Sequence, residues 1–289
     1  MKDLLTVFVN SCDQYSDAWY PFFKFLNIFG GKLKDYPITL AAEKKDFSYD
    51  GLNIDVLKYS KHKTWSQRLI KELSMVQTDF IFFVIEDYFL IEPFDFDLFK
   101  VALDYMIANP NTGYMSISNK PNDTIDTYSF QKLDLEMHRL HMTTSIWRTE
   151  YFISLLRKHE SIWDFERYSH IRARNLPYEC VSFVSQNPCY CYKQPSSVNN
   201  GASIKGDGYG IVRGKWLKSN VDLFNQYNIE VDFSNLGFYK SGVHSEAENN
   251  DITFLKKHCE KSKIIQKIDN RVKKYKRKKE KKKREKSYK

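Results

Sequence analysis

Acidic side chains come directly after three apolar, strand-like segments in the first part of the chain. These are Asp13, Glu43 and the adjacent pair Glu86-Asp87. Because ligands collect beyond the carboxyl ends of parallel strands, we expect the three positions to share one edge of a sheet. A partly buried carboxylate costs several kcal/mol unless it is paired or bound to a metal. The pattern therefore predicts a polar ligand site at that edge.

The pair Glu86-Asp87 lies within FFVIEDYFLIEP, residues 82–93. One interpretation is a helix cap, since Asp favours helix N-termini, but the pair comes about six residues before the next predicted helix. The other is a carboxylate that holds a divalent metal on a diphosphate, because Mg²⁺ and Mn²⁺ prefer carboxylate and phosphate oxygens. The position favours the metal interpretation.

A second acidic motif is Trp163-Asp164-Phe165-Glu166. A carboxylate beside these aromatic side chains would be partly desolvated, which raises its pKa toward that of a general base. The two acids would share a face in a strand and point apart in a helix. A solvated acidic turn with aromatics packed beneath it is an equal alternative.

Basic residues could meet the phosphates of a ligand at the same edge. Arg213-Gly214-Lys215 follows a polar, glycine-rich segment that we interpret as a mobile loop, and Arg68 lies on the polar side of a predicted helix. A basic surface loop is at least as good an interpretation of the first motif.

The hydrophobic pattern predicts how these residues are positioned. Apolar runs alternate with segments of helical periodicity, which is typical of an α/β fold with a mostly parallel sheet flanked by helices. The predicted strands are residues 2–10, 36–43, 52–59, 80–85, 114–118 and short stretches of 172–195. The predicted helices are residues 19–29, 64–77, 95–110, 149–158 and part of 217–230.

The composition excludes several classes of protein. Hydrophobic residues make up 42% and aromatic residues 16% of the 289 residues, so the chain is not intrinsically disordered. Its longest apolar run, residues 80–85, is far shorter than the ~20 residues of a membrane-spanning helix. Residues 4–9 are too few for the apolar part of a secretory signal. These features predict a cytoplasmic protein.

The five cysteines fit that prediction because they form no CxxC pair. Cys189 and Cys191 flank one tyrosine and would point the same way in a strand, so a zinc site there is an alternative. We favour buried reduced thiols. The other cysteines are Cys12, Cys180 and Cys259.

The positive charge of the chain is confined to its last segment. Residues 256–289 hold 18 Lys and Arg against 4 Asp and Glu, a net charge of +14, which leaves −5 on the other residues. We therefore expect a body that does not bind nucleic acid. The tail could attract an anionic membrane, at ~1 kcal/mol per basic residue near the surface. RNA binding by the tail is a weaker alternative.

From about residue 7 to about residue 240, the sequence resembles bacterial GT-A-type glycosyltransferases that build cell-surface polysaccharides such as capsule and lipopolysaccharide. The resemblance rests on six segments taken together, which are VNSCDQYSDAWYPFF, YPITLAAE, TWSQRL, FFVIEDYFLIEP, TSIWRTEYFISLLRKHESIWDFE and RGKWLKSNVDLFNQYNIEVDFSNLGFY. It implies a GT-A-like domain over residues 1–250, followed by a basic, helical or disordered tail over 251–289.

The resemblance also implies roles for individual residues. A nucleotide-sugar donor, with a UDP-sugar favoured, would be bound by Ser11, Asp13, Glu43, Arg68, Glu86, Asp87, Arg213 and Lys215. Asp87 would bind Mn²⁺ or Mg²⁺, although Glu86 and Tyr88 depart from the Asp-x-Asp motif of related enzymes. Asp164 or Glu166 would be the catalytic base of an inverting transfer. Thr144 and Trp147 would form part of the acceptor side of the site. The acceptor would be a glycan or a lipid-linked molecule at the inner face of the membrane.

Three other functions remain open. A degenerate GT-A-like fold could bind a sugar nucleotide or act as a scaffold without turnover, and the altered Asp-x-Asp motif favours this alternative. A nucleotidyltransferase would use the same sheet edge, but it usually needs a glycine-rich loop where this chain has SCDQYSD. A nucleic-acid module would need the tail to bind alone.

Overall fold

A computed structural model of the chain describes residues 4–59, 64–117, 128–185, 189–190 and 210–239. These residues belong to one compact unit that ends at Tyr239. The glycine-rich segment before Gly210, the basic tail, the boundary predicted at residue 250, Cys191 and Cys259 all lie outside the described residues.

The centre of the unit is an eight-stranded sheet with the order β3-β2-β1-β4-β7-β5-β8-β6. Six of these strands run in one direction, and β6 and β7 run opposite to them. The strands are β1 (Leu5–Asn10), β2 (Ile38–Ala42), β3 (Ile54–Lys58), β4 (Phe80–Ile85), β5 (Thr112–Ser116), β6 (Tyr128–Lys132), β7 (Ser145–Arg148) and β8 (Glu179–Ser185). A separate hairpin pairs β9 (Ile211–Val212) with β10 (Lys215–Trp216).

Six α-helices accompany the sheet in the described ranges. They are α1 (Trp19–Phe29), α2 (Trp65–Leu73), α3 (Phe96–Ala108), α4 (Thr149–Leu155), α5 (Ile162–Ala173) and α6 (Asn220–Gln226). Side chains fix where two of them begin. Thr64 accepts a hydrogen bond from the backbone N–H of Gln67 at 3.2 Å, and Asp95 accepts one from that of Leu98 at 2.9 Å. Each such cap satisfies an N–H group that has no partner within the helix.

Both faces of the sheet are covered. All six residues of β1 are buried, and successive side chains belong to different hydrophobic clusters. Val7 and Val9 pack in the cluster that includes α1 and α3, whereas Phe8 packs in the cluster that includes α2, α4 and α5. This burial explains why β4 is a continuous apolar run and why β1 does not alternate between apolar and charged residues.

The predicted α/β class and mostly parallel sheet are confirmed, and β4 and α1 have the predicted bounds. The sequence interpretation missed β6, β7 and the β9–β10 hairpin, all of which are five residues or shorter. It left helix, strand and turn open for residues 163–166, and the structure places them in the first turns of α5.

Within the described ranges, no helix has the length and apolar character that crossing a membrane requires. Cys180 and Cys189 are buried free thiols, as predicted for them, and Cys12 is a half-buried free thiol.

Candidate functional site

The candidate site lies where the order of the sheet reverses. The chain proceeds from β1 to β2 and β3 on one side, then returns to place β4 on the other side of β1. Open α/β sheets bind ligands beyond the carboxyl ends of the strands at such a switch point. At this switch point, Ser11 directly follows β1 and Glu86-Asp87 directly follow β4, as the alternation of strands and acids predicted.

Two indole groups hold the end of β1. Trp19 Nε1 donates to Ser11 Oγ at 2.6 Å, and Trp65 Nε1 donates to Asn10 Oδ1 at 3.0 Å. Ser11 and Asn10 are both buried. Because their side chains are fixed by neighbouring helices, the end of β1 forms a rigid wall of the site.

The acid pair is buried beside this wall. Glu86 is 4% exposed and Asp87 is 8% exposed. Burial, and then the charge of Asp87, raise the pKa of Glu86 well above its usual range, although the Ser11 hydroxyl and Arg68 oppose the shift. Burial also raises the pKa of Asp87 to about 7, despite a hydrogen bond that Ile211 N donates to Oδ2 at 3.1 Å. The positive charge around the two acids is therefore too small to balance them.

This deficit of positive charge fits the predicted divalent metal. Mg²⁺ and Mn²⁺ sites on phosphorylated ligands need only one or two carboxylates, since phosphate oxygens supply other ligands. Glu86 and Asp87 can provide them. Among the residues that the structure describes, no group of three His, Cys, Asp or Glu side chains could hold a metal without such a ligand.

Arg68 bridges the ends of β1 and β2. Its Nη2 donates to the carbonyl oxygen of Ser11 at 2.5 Å, and its Nη1 lies 3.3 Å from Glu43 Oε1. The side chain is 8% exposed, so the arginine predicted on a polar helix side is instead buried against the sheet edge. From this buried position the charge of Arg68 acts on Glu86 and lowers its pKa.

Asp13 links the loops after β1 and β2. Its carboxylate accepts hydrogen bonds from the backbone N–H groups of Glu43, Lys44 and Lys45 at 2.9 to 3.3 Å. Burial alone would raise the pKa of Asp13, but these bonds outweigh it and lower the pKa. Both oxygens are thus engaged by the backbone, which gives Asp13 a structural role at the edge where a donor contact was predicted.

The β9–β10 hairpin docks on the end of β4. Gly210 N donates to the carbonyl oxygen of Asp87 at 2.8 Å, beside the Ile211 bond to the same residue. The two residues of the turn, Arg213 and Gly214, have φ of 50° and 72°, as a type I′ hairpin turn requires. The hairpin is thus anchored to Asp87 through Gly210 and Ile211, and the phosphate contact of Arg213 and Lys215 stays a prediction.

The acids of α5 follow the helical one of the alternatives that the sequence left open. Asp164 forms a capping box with Ser161, accepting from Ser161 N at 3.2 Å and from Ser161 Oγ at 2.8 Å, so its carboxylate is used by the helix. Trp163 is 71% exposed and cannot desolvate either acid. Glu166 Oε1 accepts from Met142 N at 2.7 Å. The helical backbone separates the two carboxylates, as the helical alternative predicted.

The two residues predicted on the acceptor side, Thr144 and Trp147, lie in different surroundings. Thr144 precedes β7 at the edge where β4 ends, and its Oγ1 is buried without a hydrogen-bond partner among the described residues. Trp147 is fully buried, with its ring 4.2 Å from that of Phe152 and 4.4 Å from that of Tyr114. This is a correction: the Trp147 side chain packs in the core, because residues alternate across the sheet, and it cannot contact an acceptor.

Three residues near the site were not predicted. Tyr15 and Cys12 lie close enough to Glu86 for its charge to raise their pKa values in addition to burial. Glu72 is buried next to Arg68. The spacing of Arg68 and Glu72 on one helix was visible in the sequence, but burial of this polar pair was not.

Comparisons with known proteins give no family for this chain. No protein-family model and no curated protein matches the sequence. The mannosyltransferase PcManGT from Pyrobaculum calidifontis is similar in structure, with a TM-score of 0.43 and 12% sequence identity. The similarity covers 64% of this chain and 57% of PcManGT. TarS 1–349 of S. aureus has a TM-score of 0.42 and 10% identity, over 63% of this chain and 60% of TarS 1–349. A Leptospira borgpetersenii cytidylyltransferase has a TM-score of 0.40 and 8% identity, over 64% of this chain and 77% of the cytidylyltransferase. The chain thus spans less than two thirds of the first two, and likenesses at TM-scores below 0.5 assign neither family nor activity.

Proposed function

We propose that this protein is a GT-A-type glycosyltransferase that binds a nucleotide-sugar donor at the β1–β4 switch point. The observation that carries the proposal is the buried pair Glu86-Asp87, which faces Ser11 and Arg68 across that point. Buried acids that lack balancing charge suit a metal-bound diphosphate, and the adjacent buried arginine suits its phosphate oxygens. The resemblance of the sequence to such enzymes agrees with this assignment.

In the proposed mechanism, basic residues, acidic residues and the end of β1 have separate roles in sugar transfer. Arg68, with Arg213 and Lys215 from the hairpin, would stabilise negative charge on the leaving diphosphate. Glu86 and Asp87 would hold a Mn²⁺ or Mg²⁺ ion, which neutralises charge on the same group when bound. Asn10 and Ser11 would orient the donor, because the indoles of Trp65 and Trp19 fix their side chains.

Glu166 is the better placed of the two candidate bases for an inverting transfer, since Asp164 serves the helix cap. We expect Glu166→Gln to lower kcat strongly, by about 100-fold, while donor binding persists. Asp164→Asn should retain most activity and lose about 1 kcal/mol of stability from the weakened cap. Steady-state kinetics and urea unfolding of both variants test this, and the reverse pattern would transfer the role to Asp164.

The acceptor side and the cellular setting rest on the sequence resemblance. We propose a glycan or lipid-linked acceptor near Thr144, whose buried hydroxyl lies at the same sheet edge. The basic tail would bring the protein to the anionic inner face of the membrane from the cytoplasm, for synthesis of surface polysaccharide. Salt-sensitive binding to anionic vesicles by the full chain, and its loss without residues 251–289, is the expected result.

The proposed donor is tested with a thermal-shift screen of UDP-, GDP-, CMP- and dTDP-sugars, each with and without Mn²⁺. A ligand specific for the folded state stabilises it by ~2.7 kcal/mol at a hundred times its dissociation constant. We expect one nucleotide class, with UDP-sugars favoured, to raise Tm, and to raise it further with metal. Release of the nucleoside diphosphate in the presence of acceptor glycans then measures turnover.

The screen also separates the alternatives. A shift without any release of nucleoside diphosphate would support a degenerate sugar-nucleotide-binding protein. A shift with a nucleoside triphosphate and release of pyrophosphate would support a nucleotidyltransferase. The absence of any shift would overturn the proposed donor site.

A further inference from the structure

The buried carboxyl group of Glu72 has no role in the mechanism above. Glu72 lies one helical turn after Arg68 in α2 and is 0% exposed. Neither of its side-chain oxygens has a hydrogen-bond partner among the described residues, and the same holds for Arg68 Nε. Glu72 Oε1 nevertheless lies only 3.4 Å from that nitrogen. Buried polar groups that stand this close without a bond need a physical explanation.

Arg68 is already engaged on its other side. Its Nη2 donates to the Ser11 carbonyl, and its Nη1 lies near Glu43, whose side chain is 43% exposed. Both contacts direct the guanidinium toward the carboxyl ends of β1 and β2. A bond from Nε to Glu72 would pull the charge in the opposite direction, into the core beneath α2.

The protonation state of Glu72 decides between these two arrangements. Burial raises the pKa of Glu72 to about 8, Arg68 lowers it by less, and Glu43 adds to the increase. Arg68 and Glu43 are the charged groups that act on Glu72. At neutral pH the carboxyl is therefore mostly uncharged, and it leaves the positive charge of Arg68 uncompensated from this side.

We propose that Glu72 is a positioning residue for Arg68: its neutral form leaves the arginine charge available to the diphosphate, and its ionised form withdraws that charge into a buried ion pair. This inference rests on the proposed function, because it assigns Arg68 to a phosphate ligand. The expected consequence is that the affinity of the site for nucleoside diphosphates falls as pH rises and Glu72 ionises, although Glu72 does not contact the ligand.

The test is the affinity of UDP and GDP, without metal, in the wild type and in Glu72→Gln. Calorimetry between about pH 7 and about pH 9 keeps the terminal phosphate ionised throughout. We expect the wild-type Kd to rise by about tenfold over this range, the effect of one partly screened charge. Glu72→Gln should show a clearly smaller rise, because glutamine stays neutral and only Glu86 and Asp87, whose pKa values burial also raises, still ionise in this range.

Thermal unfolding tests the protonation separately from the ligand. The pKa of Glu72 is higher in the folded state than in the unfolded state, so its contribution to stability is full below the unfolded pKa and is lost as pH rises through about 8. The Tm of Glu72→Gln should therefore exceed that of the wild type by an increasing margin from about pH 5 to about pH 8.

The matched control is Glu136→Gln, which removes one partner of an exposed pair between Glu136 and Arg174 at 3.1 Å. It should reproduce the wild-type dependence of both Kd and Tm on pH. If Glu72→Gln binds a nucleotide with the wild-type pH dependence, the positioning role is wrong and the proposed function stands. If neither nucleotide binds at any pH while the donor screen gives a thermal shift, this inference falls and the proposed function stands; if that screen also gives no shift, both fall.

Discussion

Asp87→Asn should lower turnover by about 100-fold or more while the protein remains folded. Asparagine has nearly the shape of aspartate, and its amide oxygen can still accept the hydrogen bond from Ile211 N that is 3.1 Å long in the wild type. It cannot supply the charge that a divalent cation needs. The expected loss is therefore in metal-dependent donor binding and in kcat, with little change in Tm.

Kinetics with and without Mn²⁺, together with a metal titration followed by thermal shift, measure this effect. The control is Asp104→Asn, which removes an exposed carboxylate that pairs with Lys100 on α3. It should leave kcat and the response to Mn²⁺ unchanged. Intact metal-dependent turnover in Asp87→Asn would overturn the metal role of this residue.

Trp147→Ala should have the largest effect on stability. The indole is fully buried between the rings of Phe152 and Tyr114, and its Nε1 donates to Ser145 Oγ at 2.9 Å. Removing a buried tryptophan leaves a cavity that its neighbours fill only in part, at a cost of about 3–5 kcal/mol. Urea unfolding followed by circular dichroism measures the free energy of unfolding.

Trp147→Phe distinguishes this packing role from the acceptor role that the sequence predicted. Phenylalanine retains the stacked ring but loses the hydrogen bond to Ser145, so we expect a smaller cost of about 1–2 kcal/mol. The KM for acceptor should not change, because the side chain is buried in the hydrophobic core against one face of the sheet. A raised acceptor KM with unchanged stability would restore the acceptor role.

The sequence by itself determined the scaffold of the site. Strand β4 is apolar throughout and β1 is mostly apolar, because both faces of the sheet are covered, and each apolar run is followed at once by polar residues. Local patterns of this kind do not depend on distant contacts, so they predicted the strand ends, the edge of the sheet and the acids that lie there. The bounds of α1 followed in the same way from its helical periodicity.

Tertiary structure alone decided what each polar side chain does at that edge. Asp13, Asp164 and Glu166 look equivalent in the sequence, yet one binds three backbone N–H groups, one caps a helix and one binds Met142 N. The partners of Asp13 and Glu166 lie 24 or more residues away, where no local pattern reports them, whereas Asp164 pairs with Ser161 in a local capping box. For Asp13 and Glu166, the residues met across the fold determine the role of the carboxylate.

The burial of Arg68 with Glu72 and the core position of Trp147 have the same origin. A polar pair four residues apart usually marks the exposed face of a helix, but here that face of α2 lies against the ends of β1 and β2. Trp147 lies in a four-residue strand inserted between β4 and β5, and only this insertion turns its side chain into the core. Such strand pairing is a long-range contact, so the three-dimensional fold had to decide it.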